Sequence, residues 1–227
     1  MAGPQVRVAI LEDHQSIVDG YIYRLSTAPE IQVVGAASFG EDLEPLLASH
    51  PADVLLMDIN IPASPENGNP FPILHMLPGL LDKYPGLRIL AISVLTQNTL
   101  IEALIEAGIS GYIFKHDQAS IQQLAKIVLM TASGGVYFSQ GAYQNMRGTL
   151  AKSTGSLLTL RQMEILSICA AYPDVSTAEL AARLGIASST LRNLLSGAYL
   201  RLEVRTRAAA IAKARKLGLL ADSDSGE

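Results

Sequence analysis

Residues 6–14, VRVAILEDH, and residues 53–62, DVLLMDINIP, each run from a short stretch rich in Val, Ile and Leu directly into acids, Glu12 and Asp13 in the first and Asp58 in the second. Apolar runs of this length, bounded by polar residues, predict buried strands. Strands are expected over Val6 to Leu11, Gln32 to Ala37, Asp53 to Asp58, Arg88 to Ser93 and Gly111 to Lys115. The intervening segments carry helical apolar spacing, as in Ile17, Tyr21 and Leu25, and then in Leu100, Ala103, Leu104 and Ala107. Five alternating strand–helix units define an α/β fold, a doubly wound five-stranded parallel sheet covered on both faces.

In such a sheet ligands sit beyond the carboxyl ends of the strands, where strand order reverses. The acids lie at the ends of the first and third predicted strands, with Ser93, Tyr112 and Lys115 at or beside the ends of the fourth and fifth. Carboxylates gathered there repel by ~4 kcal/mol at 4 Å and an effective dielectric of 20, a conflict that a divalent cation resolves. Taken singly, each residue has an ordinary structural use. Asp58 can initiate a turn, Glu12, Asp13 or Ser16 can serve a helix N-terminus, and Lys115 can be a solvated lysine. Taken jointly, in this order on these strands, they specify a phosphate switch.

The segments VRVAILEDH, DVLLMDINIP, LAIS and GYIFK resemble the signature segments of a bacterial response-regulator receiver domain, over roughly residues 5 to 133. The resemblance implies a flavodoxin-like receiver with Asp58 as phosphoacceptor. It also implies Mg²⁺ held by Glu12, Asp13, the Asp58 carboxylate and the backbone carbonyl of Asn60. Each role is chemically sound, because Mg²⁺ takes oxygen ligands and a carboxylate can act as the nucleophile that forms an aspartyl phosphate. By the same resemblance Lys115 pairs with the phosphoryl group, Ser93 hydrogen-bonds to it, and Tyr112 moves inward as the Ser93 loop closes. After Asp58 the chain departs from its relatives: Pro62 is followed by ASPENGNPFP before helical spacing resumes. This reads as a longer, proline-rich surface loop with a tight turn at Asn67-Gly68.

From Leu158 the strand pattern disappears. Thr159 to Gln162 and Ser176 to Glu179 are capping boxes ahead of apolar runs, Gly185 breaks the second helix, and a third helix is expected from about Ser188 to Leu202. Helix, short turn, helix is a DNA-binding unit. LTLRQMEIL, STAELAARLGIASSTLRNLL and LRLEVRTRAAAIAKARKLGLL resemble the small all-α helix-turn-helix domain of LuxR/NarL-type regulators, over roughly residues 157 to 220. In the implied recognition helix Leu191, Leu194, Ala198 and Leu202 form a core stripe, with Tyr199 expected on the surface. The DNA-facing candidates are Ser188, Ser189, Thr190, Arg192, Asn193, Ser196 and Arg201, since Arg suits guanine or phosphate and Asn suits adenine. Ala187 stands where relatives commonly carry a capping Ser, so the cap is expected to move to Ser188. Arg192 replaces a typical Lys, Leu194 replaces a frequent His, and Gly197 sits inside the helix at ~1 kcal/mol relative to Ala.

Charge divides along the same line: residues 152–220 carry net +6, residues 1–151 net −7 and the tail −3, in a chain of net −4. A basic module within an acidic protein is the footprint of a polyanion-binding unit. The last helix, expected from Thr206 to Leu217, presents a small-residue face. It suits dimerisation on DNA, where two recognition helices lie one duplex turn (~34 Å) apart.

The 227 residues are enough for two cores. Cys169 lies in an apolar helical run and, as the one cysteine, makes no intramolecular disulfide. The chain shows no bilayer-length apolar stretch and no signal-peptide pattern, so no membrane association and a cytoplasmic location are expected. The organisation read from these features is a receiver over 1–138, a polar linker over 139–156 that is partly helical, a LuxR-type helix-turn-helix domain over 157–220 and a disordered tail over 221–227. The expected function is a DNA-binding transcription regulator, not an enzyme beyond its own phosphorylation and dephosphorylation, switched by a sensor histidine kinase at Asp58 and acting as a homodimer. One alternative is a regulator controlled by a partner protein or by constitutive dimerisation, without phosphate. A second is a metal-dependent phosphohydrolase with an Asp nucleophile, against which stands Asn60 at the position of the usual second Asp.

Overall fold

The computed structural model describes residues 5–150 and 157–220, without the side chains of 146–150 and 160. Strand β1 (Val6–Leu11) is followed by α1 (Gln15–Leu25), β2 (Ile31–Ala37), a 3-10 turn (Gly40–Asp42), α2 (Leu43–Ser49) and β3 (Val54–Met57). A hairpin of β4 (Pro62–Ser64) and β5 (Asn67–Pro70) leads to α3 (Ile73–Lys83), β6 (Arg88–Ser93), α4 (Asn98–Glu106), β7 (Gly111–Phe114), α5 (Gln118–Gln122), α6 (Leu124–Ala132) and β8 (Tyr137–Phe138). Helix α7 (Gln140–Leu150) precedes α8 (Leu160–Ala171), α9 (Thr177–Leu184), α10 (Ser188–Arg201) and α11 (Arg207–Lys216).

The sheet is parallel with order β2-β1-β3-β6-β7-β8. Five of its strands are those read from the sequence. The sixth, β8, is a two-residue edge strand, too short to carry a periodic signal. Alternate residues point to opposite faces: Val8, Ile10, Val54, Leu56, Leu90, Ile92 and Ile113 form one core with α1 and α6. Ala9, Leu11, Leu55, Met57, Ile89, Ala91 and Tyr112 form the other, which continues into the C-terminal helices. Because β1 pairs with both β2 and β3, strand order reverses beside it, and Glu12 and Asp58 follow directly from the two strands that flank the reversal.

The backbone N–H and guanidinium of Arg7 grip Asp53 at 2.8–3.1 Å at the opposite edge. Hydrogen bonds from the Arg7 side chain hold the Asp53 carboxyl below its usual range, against the opposing effect of burial. A depressed folded-state pKa contributes stability that is present above the unfolded value of ~3.9 and is lost as pH falls through the folded value. Asp53→Asn is expected to lower stability at neutral pH and to flatten its decline below about pH 4, measured by urea unfolding across a pH series.

The segment after Asp58 is an ordered antiparallel hairpin, not an irregular loop. Its turn lies at Pro65 and Glu66, so the expected turn at Asn67-Gly68 is corrected: Asn67 opens β5, and its Oδ1 accepts from the Asn69 backbone N–H at 3.2 Å. Phe71 anchors the hairpin, donating its N–H to Ile61 O at 2.8 Å and resting its ring where a Cβ on Gly40 would stand.

The segment assigned to a linker is partly helical, as α7, and begins as part of the sheet edge. Ser139 is buried, and its Oγ accepts from the Phe114 N–H at 3.2 Å. Residues 151–156 and the tail 221–227 lie outside the described residues. Helix α8 carries the full Thr159–Gln162 capping box. At α9 Ser176 Oγ accepts from the Glu179 N–H, while the Glu179 carboxylate pairs with Arg183 instead of completing the box. Gly185 ends α9 at φ 64°, a left-handed conformation that glycine adopts without strain. The cap of α10 is not Ser188, as expected, but Ala187, which offers no side-chain acceptor.

Candidate phosphoacceptor site and the face of the recognition helix

Leu11 and Met57 pair in register, so the residues that follow them, Glu12 and Asp58, leave the sheet side by side. Both are buried, at 1% and 7% exposure. Lys115, one residue beyond β7, reaches across the sheet edge. Its Nζ lies 2.7 Å from Asp58 Oδ2 as a hydrogen-bond donor and 2.6 Å from Glu12 Oε2 as an ion pair. Burial opposes the ammonium charge, but the Asp58 and Glu12 carboxylates outweigh it and raise the Lys115 pKa. Asp58 Oδ1 accepts from the Asn60 backbone N–H at 3.1 Å, so both carboxylate oxygens are oriented.

Glu12 Oε2 has no hydrogen bond despite its ion pair with Lys115, because the alignment is poor. Glu12, Asp13 and His14 present ligand atoms within 4.8 Å of one another, and His14 Nδ1 lies 2.8 Å from Asp13 Oδ1. A buried oxygen whose one neighbouring cation, Lys115, is shared with Asp58, beside two further carboxylates, suits a hard divalent cation. His14 was not singled out from the sequence. Its place here follows from its position after two acids.

Ser93 is fully buried, and its Oγ accepts from the Leu95 N–H at 3.3 Å. Tyr112 already points inward: it is fully buried and donates its hydroxyl to Leu95 O at 2.8 Å. Burial pushes its pKa up to about 12, so it stays a donor at physiological pH. Tyr112 thus occupies in this structure the inward position that the resemblance assigns to the closed loop. One residue along the same loop, Thr96 O accepts from Asn145 Nδ2 of α7 at 3.2 Å.

The polar face of α10 is covered. Arg192, 4% exposed, donates to Leu87 O at 2.6 Å, Leu81 O at 3.2 Å and Ser188 O at 3.2 Å. Ser189 Oγ donates to Asp82 Oδ1 at 3.1 Å, and Asn193 Nδ2 donates to Glu106 O at 3.0 Å. Ser189 and Ser196 are buried, Ser188, Asn193 and Arg201 are half-buried, and Thr190 is exposed. Gly108 stands beside this contact at φ 100°, a conformation that favours glycine, and a Cβ there would lie 3.0 Å from Leu81 Cδ1. Nearby, the Val136 N–H donates to Arg205 O at 2.7 Å.

The surface assignment of Ser189, Arg192, Ser196 and Tyr199 is therefore corrected. Helix α10 packs on two sides, against α8 and α9 and against the ends of α3 and α4, so a single apolar stripe under-describes it. Leu195 joins the buried face, Leu194 is only half-buried, and Tyr199 is 2% exposed. Asp82 and Glu106 had no sequence signal, because one offers the interface an ordinary surface carboxylate and the other only its backbone carbonyl.

A buried aspartate beside a second acid, bridged by a lysine at the reversal point of a doubly wound parallel sheet, is a receiver arrangement. The sequence profile of the response regulator receiver domain matches residues 8–129, more than half of the chain, and the chain belongs to that family. The similarity extends beyond that domain. The transcriptional regulatory protein MctR of Rhizobium johnstonii is 27% identical over 217 residues, covering 96% of each chain. A probable transcriptional regulatory protein NarL of Mycobacterium tuberculosis is 27% identical over 226 residues, covering 97% of this chain and all of the other. Among solved structures, the Salmonella typhimurium response regulator RcsB aligns with a TM-score of 0.56 at 18% identity, over 94% of this chain and 100% of that one. That similarity shows a shared fold of sheet domain and C-terminal helical domain.

Proposed function

We propose that this protein is a DNA-binding transcription regulator whose helix α10 is withheld from DNA by the receiver and released when Asp58 is phosphorylated. One observation carries the proposal: the residues chemically suited to base and phosphate contact, Arg192, Asn193 and Ser189, are hydrogen-bonded to the receiver through Leu81, Leu87, Glu106 and Asp82. The receiver spans about 1–138, the linker 139–156 and the DNA-binding unit 157–220. The partners are a sensor histidine kinase, DNA and, on DNA, a second copy of the chain. No helix among the described residues is long and apolar enough to cross a membrane.

The chemistry follows from the pocket. An Asp58 carboxylate oxygen attacks the phosphorus of a phosphohistidine, the P–N bond breaks, and the histidine nitrogen leaves with the bonding pair. Glu12, Asp13, Asp58 and the Asn60 carbonyl would hold Mg²⁺, which supplies charge neutralisation for the phosphoryl oxygens. Lys115, released from its bridge between Glu12 and Asp58, pairs with a phosphoryl oxygen, and the Ser93 hydroxyl donates to another. Drawing Ser93 inward pulls the loop of Leu95 and Thr96, and with it α4, whose last residue, Glu106, holds Asn193. A shift of a few kcal/mol between closed and open arrangements suffices for this control. The test is DNA selection from a random pool followed by mobility shift. The phosphorylated chain is expected to bind at least about tenfold more tightly, and equal affinity refutes the masking reading.

Asn145 couples α7 to the same loop. Asn145→Ala is expected to leave Asp58 labelling intact and to reduce the phosphorylation-dependent gain in DNA affinity about threefold, in line with the loss of one hydrogen bond. Fluorescence titration of labelled DNA with both forms checks this.

The interface contacts of Arg192 and Asn193 with backbone carbonyls admit a second reading, in which a partner protein opens the interface without phosphate. In that case the phosphorylated and unphosphorylated chains bind DNA alike, and a partner restores binding to both.

A further inference from the structure

Where α10 meets the receiver, the seam leaves a small, partly open cavity of about 20 Å³, lined by Arg88, Ser110, Thr177, Arg192, Ser196 and Tyr199 among others. No acidic side chain lines it. Arg192 places three N–H groups on backbone carbonyls, and the remaining N–H donors of its guanidinium have no acceptor among the described residues. The Arg88 guanidinium forms no hydrogen bond or ion pair among those residues. The same holds for the hydroxyls of Ser110, Ser196 and Tyr199, in residues that are 5%, 3% and 2% exposed. Asp82, the acid nearest in effect to Arg192, is engaged by Ser189.

Two like charges thus face one seam with free donors, and the nearest counter-charge, Asp82, acts on Arg192 alone and lies outside the cavity lining. Burial depresses the pKa of both guanidiniums, and the charge of Arg88 further lowers that of Arg192. Like charges held together at a partly buried seam repel, and an anion between them relieves that repulsion. The volume decides which one. A cavity of this size has room for one water-sized particle, which fits a monoatomic halide better than the larger sulfate, phosphate or carboxylate. Water would satisfy donors but leave the charge.

We infer that the domain seam is a halide site, in which chloride binds between Arg88 and Arg192, with hydroxyl donors from Ser110, Ser196 and Tyr199, and stabilises the closed arrangement. The inference rests on that closed arrangement and not on phosphorylation of Asp58. Halide then opposes DNA binding in two separable ways, by general screening, which every salt shares, and by a specific hold on the closed form, which only small anions exert.

The test uses the full unphosphorylated chain. Crystals soaked in sodium bromide are expected to show an anomalous peak between the two guanidiniums. At equal ionic strength, chloride is expected to raise the unfolding midpoint by roughly 2–4 °C over gluconate, and Arg88→Met to abolish the difference while keeping its helix content by circular dichroism. Absence of the bromide peak overturns the inference whether or not the variant folds. A peak with identical midpoints in the two salts marks an adventitious ion only and overturns it as well. Because neither measurement involves Asp58, failure here leaves the phosphorylation reading standing, and failure of that reading leaves the halide site standing.

Discussion

Incubated with Mg²⁺ and acetyl phosphate, the wild-type chain is expected to gain one phosphoryl group, and Asp58→Asn none. Asp58 is the one carboxylate of the cluster with both oxygens oriented, Oδ2 by Lys115 at 2.7 Å and Oδ1 by the Asn60 N–H at 3.1 Å. An amide at this position removes the nucleophile and, with it, the negative charge that holds Lys115. Loss of labelling should exceed about a hundredfold, because nothing else in the cluster is placed for attack. Glu12 has an oxygen on the same ammonium, but that oxygen makes no hydrogen bond. Intact-mass measurement of both proteins decides the point. An adduct of equal amount on Asp58→Asn moves the acceptor elsewhere, and Glu12→Gln then becomes the variant to examine.

A reversible lock on the interface is expected to have the second largest effect. Ser189 Oγ and Asp82 Oδ1 lie 3.1 Å apart, on α10 and α3, so the double variant Asp82→Cys, Ser189→Cys places two thiols within short reach across the seam. Oxidised, it should hold α10 against the receiver and lose DNA affinity by at least about tenfold, phosphorylated or not, and reduction should restore binding. A population held closed by a covalent bond has no competent fraction to shift. Cys169 should not interfere, because it is buried and burial raises its thiol pKa. Ser189→Cys alone controls for any loss of a direct Ser189 contact to DNA. If the oxidised double variant binds as well as the reduced one, α10 reaches DNA without leaving the receiver, and the masking reading fails.

These two variants probe parts of the chain that differed in how readable they were. The strands β1, β3, β6 and β7 announce themselves through local composition, and the reactive residues lie at or beside their ends, so the parallel order alone brings Glu12, Asp58, Ser93 and Lys115 to one edge. The hairpin after Asp58 was less legible. Its pairing joins Pro62 to Pro70 and Ser64 to Asn67, in strands of three and four residues with no alternating apolar pattern. The same limit hid β8. Tyr112 was read as lying beside the end of the fifth predicted strand, and its rotamer depends on Leu95 O, a backbone atom whose position no side-chain pattern encodes.

The recognition helix shows the boundary most sharply. Its length and its polar face follow from local spacing and from the glycine at 185, because a helix end and a left-handed residue are local matters of backbone sterics. Whether that face meets water, DNA or the receiver is a property of two surfaces that are distant in the chain. Arg192 is equally suited to guanine, to a phosphate or to the carbonyls of Leu81 and Leu87, since a guanidinium donates to any of them. Only the folding of residues 81–108 into a surface that offers those carbonyls selects the last. Residue types and their spacing thus determine which chemistry the chain carries, and long-range packing determines where each group points and what it is kept from touching.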